Sequence, residues 1–569
     1  MDGKKTIGLL IEDVFFDFSK EIIHSVSYAI YNRDDIDLVV IAGRQDIDTD
    51  SNDDNQHLYK VVYNSIFLME EKCRFDGLIV ALPNMKDKKF DMYPGVPKVF
   101  IACDDPDELT INYDDKLGIT EAMDFLTEEK GFTKLCMLGG REDNADAQKR
   151  KRLFVKYLRS KYLEFENDQY EPTDMTSKSA DAALRLLDNN PDVQAVFCVN
   201  DLVAVGLYDV MKKRNLTPGK DITVFGFDNT RLALEMVPPL ASIGSDAATL
   251  GQNALNLLLK KMNGEKVSSV TIPTCLFGRG SMDYNTFDYN FKELLSGDEE
   301  LITKLFDDTF YRYRYEIMDS KAIDLKKLYC GIISRILGSV KKKKVIDKEY
   351  DEVCRLIDIF FENNAMDYTD VTKYIKNIDT LQEGMNAAVK KGDVKDRNNK
   401  LFSKMKDRAM LALAVSRTDQ RRKRDFERNK VQEYLAETMD YDGEGNITLE
   451  RVINNFDKLG FTNAALYLYE TPVKYFEDAV KEFPDTLLLK CAVKDGKQFV
   501  FGKDKQLTRA EEIFKKVWQI SKGEGLVIFP VFSGRYIFGV LVCALENNTL
   551  NRGEYLAGQL ARAMLMCIR

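Results

Sequence analysis

Histidine is nearly absent: the 569 residues contain two, His24 and His57. That leaves little for imidazole-based metal sites or for imidazole acid–base catalysis. Ten cysteines are scattered along the chain, at 73, 103, 136, 198, 275, 330, 354, 491, 543 and 567, and no two are spaced as CxxC. Zinc knuckles and thioredoxin-like redox motifs are thereby excluded. Cys136, Cys198 and Cys543 sit inside apolar runs, where cysteine behaves as a small buried hydrophobe. No run of about 18 apolar residues occurs, so no membrane-spanning segment is expected. The N-terminus, MDGKKTIGLL, lacks the long apolar stretch and small-residue cleavage site of a secretory signal. Free thiols and the missing signal predict a cytoplasmic protein. Positive charge is not in excess either: Lys+Arg 82 against Asp+Glu 92 gives −10, which argues against a globally basic nucleic-acid binder. No grouping of nucleophile, base and oxyanion donors is visible, so a non-enzyme without cofactor or metal is expected.

What is present is a soluble composition, 44% hydrophobic and 31% charged, with length for three or four modules at about 150 residues each. Residues 4–282 alternate short apolar runs with helix-period segments. TIGLLI (6–11), LVVIA (38–42), GLIVAL (77–82), VFIAC (99–103), KLCMLG (134–139), AVFCVN (195–200) and ITVFGF (222–227) read as strands. Runs apolar on both faces, separated by helices, predict parallel sheets covered by helices. So many strands suggest two similar lobes, one near 4–104 and a second beginning near 108.

From about 283 the texture changes. Residues 284–428 contain no proline and few β-rich runs, which predicts an all-α connector over 283–429. Leu325–Leu337 and Val353–Phe361 are amphipathic helix candidates. Asn398–Met439 reads as one long helix with Leu401, Met405, Ala412 and Val415 on a stripe, of the kind that pairs with a copy of itself or bridges domains. Lys341–Lys344 reads as a solvated loop. Residues 430–569 predict an α+β module. AALYLYE (464–470), TLLLKCAV (486–493), GLVIFPVF (525–532) and YIFGVLVCALE (536–546) are its strands, SGR (533–535) is a hairpin turn, and a helix over Arg552–Met566 closes it.

The first 282 residues resemble the ligand-binding domain of the lac/gal repressor family, a two-lobed periplasmic-binding-protein type I fold. The resemblance rests on N-D-x-x-A-x-G at Asn200, Asp201, Ala204 and Gly206, and on G-F-D at Gly226, Phe227 and Asp228. P-P-L at Pro238–Leu240, FDGLIV (75–80), VPKVFIACDD (96–105) and IPTCLFGRGS (272–281) add to it. It implies a sugar- or nucleoside-like ligand between the lobes, at the carboxyl ends of the strands. The implied ligand residues are Asn200, Asp201 and Asp228 at strand ends, Arg150 in A-x-x-R-x-x-L-F, Phe15 and Phe16 after the first strand, and Asp105 at the first crossover. Leu153 stands where the family usually has glycine. Residues 430–569 are similar to a GAF-type domain, in which Cys491 and Cys543 are expected to be packing residues.

Two motifs are set aside. GGRED (139–143) superficially resembles the diguanylate cyclase signature but follows a strand in the sensor frame instead of forming a hairpin. DYDGEGNITLE (440–450) resembles an EF-hand loop, but Arg451 stands where the bidentate acid belongs. Lac/gal repressors carry a helix-turn-helix before the first sensor strand, whereas here that strand begins at Thr6, so no nucleic-acid contact is expected. Sensor, connector and GAF-like module in that order resemble the input half of bacterial signalling proteins. The expectation is a homodimeric sensor that relays lobe closure to an output domain, diguanylate cyclase or other, or to a partner protein. The alternative is a lac/gal-like transcriptional regulator whose DNA contact lies in an unrecognised element or a partner.

Overall fold

The computed structural model describes residues 4–14, 17–31, 33–44, 54–82, 95–103, 107–245, 247–282, 291–295, 299–310, 313, 323–340, 346–369, 371–389, 392–439, 461–475, 483–501, 506–514 and 525–568. Two compact units divide the chain: Met1–Met282 with Arg428–Arg569, and Asp283–Glu427.

In the first unit, the strands β1 (Lys5–Ile11), β2 (Ile36–Ala42), β3 (Gly77–Ala81), β4 (Lys98–Ile101) and β5 (Thr110–Asp114) belong to the first lobe. The second lobe takes β6 (Leu135–Leu138), β7 (Tyr170–Glu171), β8 (Ala195–Cys198), β9 (Thr223–Phe227) and β10 (Ala241–Gly244). The chain then returns to the first lobe for β11 (Val270–Pro273) and to the second for β12 (Cys275–Phe277). The second-lobe sheet runs β12-β10-β9-β8-β6-β7, parallel except for β12. Its central strands are buried on both faces, as crossover helices on both sides require. The α/β, two-lobed expectation is met.

The lobes exchange chain at three places: Asp114 to Asp115, Gly244 to Ala247, and Pro273 to Cys275. There the Thr274 hydroxyl donates to the Asp114 carbonyl at 2.7 Å and accepts from the Gly118 amide at 3.0 Å.

The C-terminal strands are β13 (Ala464–Lys474), β14 (Thr486–Lys494), β15 (Lys497–Val500), β16 (Leu507–Arg509), β17 (Leu526–Ser533) and β18 (Tyr536–Ala544). The expected hairpin joins β17 to β18, with Gly534 at φ 57°, a conformation that glycine adopts without strain. The module expected to be separate shares its sheet with the first lobe. The order is β11-β5-β4-β3-β1-β2-β17-β18-β13-β14-β15, with β16 also on β14, and β17 pairs in parallel with β2 at Leu526–Val39, Val527–Val40 and Ile528–Ile41. One hydrophobic cluster accordingly joins Val39, Phe67, Phe75 and Val80 to Tyr467, Phe514, Ile528 and Val542. The helix Asn547–Ile568 packs on β17 and β18.

The unit Asp283–Glu427 is helical. Its helices Glu299–Thr309, Leu325–Ser339, Asp347–Glu362 and Val371–Ala388 enclose Phe306, Phe310, Tyr329, Phe360 and Tyr374. The 47-residue helix Asp393–Met439 adds Leu401, Phe402, Met405 and Ala409 to that core. Val415, expected on the same stripe, is 52% exposed. Lys341–Lys344 and residues 440–450 lie outside the described residues.

Candidate ligand-binding site

The second lobe sets its polar groups where β8 and β9 end. Arg150 projects from the helix Ala145–Ser160, whose start is capped by Asn144 accepting from the Ala147 amide. Its guanidinium donates to the Val199 carbonyl at 2.8 Å and to Asp228 Oδ1 at 3.1 Å. The guanidinium carbon lies 3.6 Å from the centre of the Phe227 ring, a cation–π distance. Asp115, at the first crossover, sits 3.9 Å from Arg150 and 3.4 Å from the Lys149 ammonium. Burial pushes the carboxyls of Asp115 and Asp228 above their ordinary range, and Arg150 pulls both back. Burial opposes the Arg150 charge, yet Asp228 and Asp115 hold its pKa above the usual value. The backbone turns sharply here, with Asp228 at φ 92° and Asn229 at φ 51°, the left-handed region that Asn and Asp tolerate best after glycine.

Of the residues expected at a ligand, the structure therefore brings Arg150 and Asp228 into direct contact. Asn200 is the N-cap of the helix Asp201–Lys213: its Oδ1 accepts from the Val203 amide at 2.9 Å and its Nδ2 donates to the Met175 carbonyl at 3.0 Å. Asp201 is turned into the second lobe. Its oxygens accept from the Thr230 amide (2.8 Å), the Thr230 hydroxyl (3.0 Å) and the Ser242 hydroxyl (2.6 Å). Burial pushes its carboxyl up to about 7, with Asp228 adding to the shift. A side chain at Gly226 would strike Asp201 Oδ1, its Cβ coming within 2.3 Å of it. The two sequence motifs thus meet as one packed joint, with Asp201 and Gly226 at its centre. Phe15, Phe16 and Asp105 lie outside the described residues.

Several groups at the lobe boundary escaped the sequence reading. Tyr113, at the end of β5, feels Glu21 of the first lobe and Asp228 and Arg150 of the second, and burial pushes its hydroxyl up. His24, on the first-lobe helix Asp17–Ile30, is pushed down to about 4 by burial, then by Arg231 of the second lobe and by Lys20. The consecutive Asp114–Asp115 before a helix was the one local signal, and it reads equally well as a helix cap. Together these groups offer a planar guanidinium, carboxylates and an aromatic face, the elements that hold a small polyhydroxylated molecule. Among the described residues no group of three or more His, Cys, Asp or Glu could hold a metal ion, and no helix is long and apolar enough to cross a membrane.

A family profile described as a periplasmic binding protein-like domain matches residues 125–282. The chain is 29% identical over 264 residues to the ribose operon repressor of Escherichia coli (strain K12), covering 45% of this chain and 75% of that protein. It is 25% identical over 270 residues to the HTH-type transcriptional repressor CytR of the same strain, covering 47% and 75% respectively. The solved transcriptional regulator CelR–cellobiose complex is 22% identical and covers 49% of this chain and 86% of its own, with a TM-score of 0.41. Residues 125–282 thus match a periplasmic binding protein-like domain, in a chain similar in sequence to proteins named as operon and transcriptional repressors.

Proposed function

We propose that the chain is a ligand-responsive transcriptional regulator. A sugar- or nucleoside-like molecule is held between the lobes, against Arg150 and Asp228, with Asn200 and Asp201 fixing the strand ends that present them. A homodimer is the working assembly, and DNA is contacted through an element outside the recognised motifs or through a partner protein. The observation that carries this reading is the largely shielded Arg150–Asp228 pair at the end of β9, inside residues 125–282, which match a periplasmic binding protein-like domain, in a chain similar to proteins named as operon and transcriptional repressors. That similarity weighs against the expectation, drawn from the start of the first strand at Thr6 and from net charge, that nucleic acid is no partner. The ligand must favour one lobe arrangement over the other for any output to change.

The test has two steps: a thermal-shift screen of the purified chain against sugars and nucleosides, then gel-shift on fragmented genomic DNA at moderate salt, with and without the best hit. Ligand-dependent retention of particular fragments is expected. If no fragment is retained in either condition, with or without a cell extract as the source of a partner, the regulator reading is lost.

A second reading is favoured by the 47-residue helix Asp393–Met439 and the C-terminal strands. In it the protein is a cytoplasmic relay whose GAF-like module passes lobe closure to an output in another domain or partner, of diguanylate cyclase type or other. Ligand binding without any DNA retention would favour it.

A further inference from the structure

The contact between the first lobe and the C-terminal strands is built on more than one sheet edge. Besides the β2–β17 pairing, Phe532 of β17 stands 5.0 Å from the Tyr59 ring and 5.8 Å from the Tyr63 ring, both on the first-lobe helix Asp54–Asn64. Phe75 of the first lobe lies 5.6 Å from Phe514 of the C-terminal module, and the Cys73 thiol donates to the Ala510 carbonyl at 3.4 Å. Arg44, just beyond the carboxyl end of β2, donates to both Glu554 oxygens at 3.1 and 3.2 Å, and the Tyr59 hydroxyl donates to Glu554 at 3.1 Å. Both ends of that ion pair are mostly shielded, at 21% and 13% exposure, where separating the partners would leave a charge poorly solvated. Among the described residues, a shared ladder, a shared apolar core and a part-buried ion pair, one Arg44 nitrogen shared between both Glu554 oxygens, join the module to the first lobe, and packed contacts of this kind resist hinging.

The link between the lobes is different in kind: three single-chain crossovers. The chain enters the helical unit from the second lobe, since Met282 is buried in that lobe's core and Ser281 is bonded to the Val224 carbonyl and the Ala241 amide. It leaves the helical unit at Arg428, where the chain rejoins the unit that holds the C-terminal strands.

We propose that the first lobe and the C-terminal module form one rigid body, latched by Arg44–Glu554, and that lobe closure moves the second lobe against both. This goes beyond the regulator reading and needs no ligand to be tested.

The charge of Arg231 in the second lobe is felt at His24 in the first, so H24C/R231C, with Cys103, Cys275, Cys330, Cys354 and Cys567 replaced by serine, accepts short and long thiol-to-thiol linkers that set two lobe openings. Nitroxide-bearing unnatural amino acids replace the exposed Tyr28 (first lobe), Tyr162 (second lobe) and Leu507 (C-terminal module) in pairs, and distances are read by double electron–electron resonance. The 28–162 and 162–507 distances are expected to differ between linkers by more than about 2 Å, the scale of a domain rearrangement, while 28–507 stays constant. A change in 28–507 matching that of 162–507 overturns the rigid-body claim. A 28–162 distance fixed under both linkers overturns the moving-lobe claim. If the cross-linkable variant does not fold, native-state hydrogen exchange on the unaltered chain decides instead. The amides of β1, β2, β17 and β18 are expected to open as one cooperative group, and β17–β18 opening earlier and separately refutes the proposal.

Discussion

Arg150→Met is the most informative single substitution in the second lobe. The change keeps an unbranched apolar stem against Phe227 but deletes the guanidinium that bonds the Val199 carbonyl and Asp228 and faces Asp115. Arg150 is 5% exposed, so two carboxylates lose their shared counter-charge away from solvent. Removing one partner of such a buried pair costs about 3–5 kcal/mol. The lower end applies here, because Lys149 still stands 3.4 Å from Asp115. Against the roughly 5–15 kcal/mol that holds a domain folded, a loss of about 3 kcal/mol is severe. Urea unfolding gives the total, and hydrogen exchange of peptides covering β8 and β9 localises it. The companion variant R150M/D228N removes the stranded charge and is expected to recover at least half of the loss. The reasoning is refuted if R150M lies within about 0.5 kcal/mol of the parent, the range of ordinary surface changes. It is equally refuted if the double variant shows the plain sum of the two single effects, since groups in direct contact should couple.

Phe532→Ala empties the ring site between Tyr59 and Tyr63 and is expected to cost about 3–5 kcal/mol, with faster exchange in β2 as well as in β17. A loss confined to the C-terminal strands would contradict the shared core. Gly206→Ala places a Cβ 2.6 Å from the Ala180 backbone nitrogen, forcing the helices Ala180–Asn189 and Asp201–Lys213 apart at about 1–3 kcal/mol, measurable as a lower urea midpoint. The Asp201 carboxyl, ordinarily near 3.8, is held near 7 in the fold, so between those values the folded chain binds a proton that the unfolded chain has released. Its contribution to stability is therefore full at acid pH and is lost as pH rises through about 7. The second lobe's unfolding midpoint should fall with pH across that window, and Asp201→Asn should flatten the slope. Asp228→Asn should abolish the thermal shift caused by whichever sugar or nucleoside stabilises the parent chain, while leaving the C-terminal strands' exchange unchanged.

The parallel strands of both lobes were legible because a strand buried on both faces must be written in apolar residues, as GLLI, LVVIA and AVFCV are. β5, β10, β11 and β12 escaped because TINYD, ASIG, VTIP and CLF contain no run of four apolar residues, unlike the equally short LCML and AVFC. The β17–β18 hairpin was legible from its turn. The other neighbour of β17 was not: its partner β2 lies near the opposite end of the chain, and nothing in either apolar run names the other. At the site, Arg150 and Asp228 were legible through family spacing. The cap role of Asn200 is local, its Oδ1 accepting from the Val203 amide, and a helix cap is an ordinary reading of Asn after a strand; the inward turn of Asp201 depends on Thr230 and Ser242, contacts that no local reading contains.

The pairing of β2 with β17 also bears on how the protein is made. Until Leu526–Ser533 leaves the ribosome, the first lobe holds an apolar edge strand with unpaired backbone groups, a template for joining neighbouring chains. At about 5–20 residues per second, the interval between synthesis of the two strands lasts roughly 25 to 100 seconds. Nascent chains are thus expected to need a chaperone over that interval, and slowing translation should lower the soluble yield of this protein more than that of a sensor whose edges close early.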